Sequence, residues 1–261
     1  MARGWKLYKA FKGKDKRGIN MKYMGSKNKI AKRMLPIILK DRVNGQFYVE
    51  PFVGGANMID KVSGNRIGGE FNIYIASMWK ALESGYTFPF INKDEYKKIK
   101  NNMNDYDPAL VGWVGICCSY SGKWFGGYAG KVETKGGTRD YQAESFANVK
   151  KQMLGITGIN FVHSSYDELT IPHDSIIYCD PPYRNTTQYK DSFDSDHFFE
   201  WCRSRVRLGD SVFISEYTAP EDFVCVWSQD IKSSLSANGK CGKSKNSTER
   251  LFIHHTQATK A

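Results

Sequence analysis

Residues 175–179, Ser-Ile-Ile-Tyr-Cys, form an uncharged run that stops at Asp180-Pro181-Pro182-Tyr183. Five residues are too few for an ordinary helix and the right number for a strand. A strand apolar at consecutive positions buries both of its faces, the condition of a parallel sheet covered by helices on each side. The two prolines end it, since neither has an amide proton for a ladder and both fix φ. The same grammar recurs along the chain. Residues 46–53 (Gln-Phe-Tyr-Val-Glu-Pro-Phe-Val) run into Gly54-Gly55, and residues 65–69 end at Glu70. Further runs stand at 160–163 and 211–215, with late strands expected at 223–227 and 251–254. Helical spacing of apolar residues falls between them, at 28–39, 57–62 and 73–82, with Pro36 predicting a kink or early end in the first. Strand, glycine turn, helix and strand in this order predict an α/β fold, a doubly wound, mostly parallel Rossmann-like sheet that opens a ligand site at its strand ends.

Residues 85–159 break that rhythm. They are Lys-rich, carry Tyr and Trp, are punctuated by glycine, and read as a smaller inserted module, leaving 21–84 and 160–261 as the main domain. Residues 1–20 hold Lys6, Lys9, Lys12, Lys14, Lys16 and Arg17 among few large apolar side chains and read as a basic arm. The chain of 261 residues has 38 Lys and Arg against 27 Asp and Glu, a formal charge of +11 that favours a polyanionic partner such as nucleic acid. Its 6 cysteines include no Cys-x-x-Cys pair and no histidine at finger spacing, so neither a zinc module nor a disulfide framework is expected, and a reducing, cytoplasmic setting fits. No run approaches the ~18 apolar residues of a membrane span, and residues 1–20 lack the apolar stretch of a secretory signal. A soluble monomer or weak dimer without metal is expected.

Two motifs carry the chemistry. In Glu50-Pro51-Phe52-Val53-Gly54-Gly55 a strand runs straight into glycines, which let the backbone turn and approach a ligand closely, although the dinucleotide fingerprint Gly-x-Gly-x-x-Gly is not met. Glu70 closes the next strand, where doubly wound folds place a carboxylate on a ribose. Asp180-Pro181-Pro182-Tyr183 sets an acceptor, two rigid residues and an aromatic face at a strand's C-terminal edge. As alternatives, the glycines can be a plain structural turn and the proline corner a surface turn.

With Tyr23-Met24-Gly25-Ser26-Lys27 before them, these motifs stand in the order found in the Dam-type DNA adenine methyltransferases, which residues 20–255 resemble. The resemblance implies S-adenosylmethionine as cofactor, double-stranded DNA as partner and the exocyclic N6 amine of a flipped-out adenine as acceptor, in a bacterial or phage-infected cell. It implies that Tyr23, Lys27, Pro51, Phe52, Gly54, Gly55, Glu70, Tyr166 and Asp180 bind the cofactor. It further implies that Asp180, Pro181, Pro182 and Tyr183 form the catalytic corner, and that 85–159 is the target-recognition domain. Glu70 is one methylene longer than the more usual Asp. In His163-Ser164-Ser165-Tyr166-Asp167, Ser165 stands where many relatives have a carboxylate, so Tyr166 is left as either a packing residue or a ligand contact.

The amine of adenine is a poor nucleophile because its lone pair is delocalised into the ring. An enzyme must therefore offer acceptors to its hydrogens, which Asp180 and the Pro181 carbonyl can do, and stack the extruded base, which Tyr183 can do. A nearby carboxylate and aromatic also suit a cationic sulfonium. In the insertion, Lys123, Trp124, Tyr128, Lys131, Lys135 and Arg139 combine stacking faces with phosphate-binding cations, and Lys243 stands in a late Ser-, Gly- and Lys-rich loop; these are the candidate DNA contacts. A packed loop and a solvated one are the alternatives. An RNA adenine or protein glutamine methyltransferase, or an inactive DNA-binding relative, remain open as functions.

Overall fold

A computed structural model of the chain describes residues 20–134, 136–183, 193–233 and 245–258. The basic arm apart from Asn20, Lys135 and Lys243 lie outside the described residues. Among those described, no helix is long and apolar enough to cross a membrane, and no group of three or more His, Cys, Asp or Glu could hold a metal ion.

The first helix, α1 (Ala31–Ile38), buries Ala31, Met34, Leu35 and Ile38, one stripe at helical spacing. Pro36 lies inside it near its end, so the helix runs only two residues further. The strand expected at 46–53 is β1 (Tyr48–Glu50), because Pro51 cannot extend a ladder and the chain turns there. Residues 57–62, expected as helix, make a single 3-10 turn at Ile59–Lys61. Ala56, with φ at 51°, leaves the helical region just before it. Next come β2 (Arg66–Glu70) and α2 (Ile73–Glu83), the latter capped by Asn72, whose side chain accepts from the amides of Tyr74 and Ile75.

The segment 85–159 contains α3 (Lys93–Asn101), α4 (Pro108–Ile116), a hairpin of β3 (Lys131–Thr134) and β4 (Gly137–Asp140), and α5 (Tyr141–Ile156). Helix α4 lies against α2 at Gly112, where a Cβ would fall 2.1 Å from the Tyr74 carbonyl oxygen. That close approach explains a glycine in a helix interior, where it costs about 1 kcal/mol against alanine. The β3–β4 hairpin stands apart from the main sheet, and β3 is exposed along its whole length.

The chain then makes β5 (Asn160–His163), β6 (Ile176–Cys179), α6 (Ser195–Arg207), β7 (Ser211–Glu216), β8 (Phe223–Ser233), β9 (Lys245–His254) and α7 (His255–Ala258). Among the described residues, seven strands form one sheet in the order β5-β2-β1-β6-β7-β9-β8. The first five run parallel, and β9 is antiparallel to both β7 and β8. The late strands are longer than their apolar cores of 223–227 and 251–254, because the mostly polar residues beyond pair with each other, Gln229 with Glu249 and Asp230 with Thr248.

Alternate residues of the buried strands serve different layers, as the period of two demands. Tyr48, Ile176 and Tyr178 join a cluster with Met34, Ile38, Trp79, Trp113 and Val149, so α1, α2, α4 and α5 cover that face. Val49, Ile177 and Cys179 join Phe198, Phe199 and Cys202 of α6 on the other. This is the doubly wound, mostly parallel α/β sheet that the strand runs predict.

Candidate active site

From β1 the sheet grows outward through β2 to β5, and from the adjacent β6 it grows the opposite way through β7. The crevice outside the carboxyl ends of β1 and β6 is therefore the topological switch point, where open α/β sheets bind ligands. Glu50 ends β1 and Asp180 follows β6, so both sequence motifs meet there.

The glycine loop is held from every side. Gly54 has φ at +45°, and a Cβ on Gly54 or Gly55 would fall 2.8 or 2.6 Å from Tyr23, whose side chain lies across the pair. Trp79 Nε1 donates to the Gly54 carbonyl at 2.7 Å, and the Val53 amide donates to the Gly69 carbonyl at 2.9 Å. From α5, buried Gln152 donates to the carbonyls of Gly55 and Ala56 and accepts from the Met21 amide. Pro51 is buried beside Gly69, and Phe52 stacks on Tyr166 at 5.3 Å while meeting Phe193 and Phe198 edge-on. Tyr166 also packs edge-on against Phe198 and Trp201, so it belongs to an aromatic cluster under the loop. The Asp167 carboxyl is held below its usual range, first by the Ser165 hydroxyl.

Glu70 takes the Gly54 amide on Oε2 at 3.1 Å and the Asn72 amide on Oε1 at 3.0 Å, tying the glycine loop to the turn that opens α2. Burial pushes its pKa up to about 6, against the pull of those two amides. Deeper in, Glu50 accepts from the Tyr48 hydroxyl at 2.8 Å, and burial holds its carboxyl well above the ordinary range.

Lys27 belongs to the Asp180 corner. Its side chain is 8% exposed, and Nζ lies 2.8 Å from Asp180 Oδ1 and 2.9 Å from Oδ2. It also donates to the Gly25 carbonyl at 3.2 Å and sits 4.8 Å from the centre of the Tyr183 ring. Burial raises the Asp180 pKa, Lys27 lowers it, and Glu249 raises it again. The Tyr183 hydroxyl donates to Glu249 Oε2 at 2.9 Å, and its ring meets Tyr217 edge-on at 4.6 Å. Pro181 is buried and Pro182 half-buried between these two side chains in sequence.

Tyr23 thus lies on the glycine loop, which is bonded to Glu70, while Lys27, four residues on, is paired with Asp180 beside Tyr183 at the end of the adjacent strand, with Tyr166 stacked on Phe52. Sequence reasoning missed Trp79 and Gln152, which brace the loop, and Glu249 and Tyr217, which surround Tyr183. The one signal for Glu249 was a charge at the entrance to the apolar stretch Leu251-Phe252-Ile253.

The described candidate DNA residues differ in their surroundings. Lys123 is exposed, as is Lys131 on β3. Trp124 stacks on Tyr74 at 5.9 Å and rests on Gly115, where a Cβ would fall 2.4 Å from its ring. Tyr128 donates to the Ile91 carbonyl at 2.9 Å and accepts from Gln142. Arg139 pairs with Glu144, one bond measuring 2.8 Å, and lies 4.6 Å from the centre of the Tyr141 ring.

No protein-family model matches the chain, and a search of curated proteins gives no match. Among solved structures, the chain is similar to SMU.472, provisionally assigned as a methyltransferase and solved in complex with SAH. The identity is 11% and the TM-score 0.36, over 92% of this chain and 55% of that one, so the chain spans about half the length of the structure it matches. A superposition so loose carries nothing about chemistry.

Proposed function

We propose that the chain is an S-adenosylmethionine-dependent methyltransferase of the Dam type that methylates the N6 amine of a flipped-out adenine in duplex DNA. The observation that carries this reading is the placing of Asp180 and Tyr183 at the switch point, in one crevice with the Gly54-Gly55 loop and Glu70. The crevice's donor set fits the cofactor. In a chain of formal charge +11, Glu70 at the end of β2 and Asp180 just after β6 offer carboxyl acceptors at the carboxyl ends of the parallel strands, a setting for a ligand that is cationic and bears hydroxyls. S-adenosylmethionine, when bound, supplies an electrophilic methyl on a positively charged sulfur.

Glu70, at the end of β2, is the acceptor for the ribose hydroxyls, and the Gly54-Gly55 loop takes the methionine portion. Its carbonyls are already occupied by Trp79 and Gln152, so the loop is organised before any ligand arrives. Asp180 accepts a hydrogen of the target amine and aims its lone pair outward. After transfer the nitrogen must lose a proton, and Asp180, its pKa raised by burial, is the base in reach. Tyr183 supplies the stacking face. Lys27 occupies the Asp180 oxygens and has to yield at least one of them to the base.

For the partner, the β3–β4 hairpin is a two-stranded ribbon of the size a major groove admits, and Lys131 on it is unburied. Methyl transfer from labelled S-adenosylmethionine to duplex DNA, followed by digestion with methyl-sensitive nucleases, tests the proposal. Label on N6 of adenine is the expected result, and label confined to RNA or protein overturns the DNA reading.

A further inference from the structure

We propose that Glu249 is a positioning residue that receives the Lys27 ammonium when the target amine takes Asp180, while holding Tyr183 by its hydroxyl. This rests on the methyltransferase reading, since it is the arrival of an amine at Asp180 that displaces Lys27.

The geometry points to this exchange. The Lys27 side chain is 8% exposed, so an ammonium released by Asp180 does not simply pass into water, and leaving it unpaired would be costly. Glu249 Oε2 stands 3.9 Å from Nζ, and its side chain is 14% exposed. A displacement of about 1 Å converts that separation into a charge-assisted hydrogen bond. Lysine suits such a move, because its ammonium is a point charge on a flexible stem and can turn a donor without losing the others. The Gly25 carbonyl at 3.2 Å and the Tyr183 ring at 4.8 Å lie on the same Nζ and can guide it throughout.

Glu249 itself is held in place. It sits in β9 opposite Gln229 of β8, and its neighbour Arg250 pairs in register with Glu216 of β7, so its backbone is gripped on both sides. Arg250 adds a bond from Nη1 to the Tyr217 carbonyl at 2.6 Å, which fixes the residue whose ring meets Tyr183. Oε2 of Glu249 is both the acceptor for Tyr183 and the atom nearest Lys27. One oxygen therefore couples the orientation of the stacking ring to the position of the cation.

Two experiments decide the matter. In a crystal structure of Asp180→Ala, Lys27 Nζ should lie within about 3.2 Å of Glu249. A lysine that stays beyond that distance or turns to solvent overturns the exchange, and this readout needs neither cofactor nor turnover. In kinetics, Glu249→Gln keeps an acceptor for Tyr183 and removes the charge, and it should lower kcat about tenfold or more, with the KM for S-adenosylmethionine and the Kd for SAH unchanged. In a Lys27→Met background the same substitution should cost nothing further. Wild-type kcat in Glu249→Gln, or an undiminished loss in the Lys27→Met background, overturns the exchange while leaving the methyltransferase reading intact. A wild-type protein that binds no SAH and methylates no duplex overturns that reading instead.

Discussion

Lys27 and Lys131 are the same side chain in two settings. Lys27 is 8% exposed and meets Asp180 at 2.8 Å, whereas Lys131 is 74% exposed and meets Asp140 at 3.9 Å. An ion pair of the second kind contributes about 0–1 kcal/mol and is screened by salt. A pair of the first kind is costly to break by removing one partner, because the other charge is stranded. The chain's basic surplus therefore divides into cations committed to the interior and cations available to a polyanion, and composition alone cannot separate them.

The sharpest way to break this comparison is Asp180→Ala, which should lower methyl transfer by about a hundredfold or more while leaving SAH binding mostly intact. Retention of more than about a tenth of wild-type turnover in a folded variant, measured with circular dichroism alongside, counts against the role given to Asp180. Next in size is Glu70→Ala, which should raise the SAH Kd by about 10- to 100-fold in calorimetry, the cost of a charged hydrogen-bond acceptor. Because the pKa of Glu70 is pushed up to about 6, SAH affinity should weaken as pH falls through that value, and Glu70→Gln should flatten the profile. Stability has the opposite sign. The contribution from Glu70 is fullest below its ordinary 4.5 and is lost as pH rises through about 6.

Smaller effects belong to the exposed side. Replacing Lys123 and Lys131 together by Ala should make the slope of log K for duplex DNA against log salt shallower by about 2, with SAH affinity unchanged. Weakened SAH binding with an unaltered slope would remove the DNA role from this segment. Arg139→Ala should change the slope least, since Glu144 already meets its charge, and Glu144→Gln should tighten duplex binding. If Arg139→Ala matched a lysine substitution, the ion pair would be open in the complex.

The sheet was legible where burial was total. Residues 176–179 are apolar at consecutive positions, and their strand and its proline stop follow directly from that. The Glu70 turn was also legible, since the strand expected at 65–69 stops at that carboxylate and the helical spacing resumes at Ile73, although the Asn72 cap was seen only in the structure. Residues 228–233 and 245–250 were not, because their pairing is set by each other and not by a buried face. The 57–62 stretch has helical spacing, but Ala56 and the Gln152 bonds to the loop before it leave room for one 3-10 turn. Tyr183 and Glu249 are 66 residues apart, and only the insertion of β9 between β7 and β8 places that strand near the corner. A local reading of residue spacing has no access to that.

The position of β9 has a consequence for how the protein comes into being. Chains emerge from the ribosome N-terminus first, and domains start to fold as they appear. Here Lys27, Glu70 and Asp180 are all synthesised before residue 245, so the pocket's floor can assemble while its last wall is still being made. Until β9 slides between two strands already present, β7 shows a bare edge of the kind that recruits other chains. The same strand that pairs the free edge of β7 also brings Glu249 to the Tyr183 hydroxyl, so the sheet and the tyrosine are both completed by the last strand to be made.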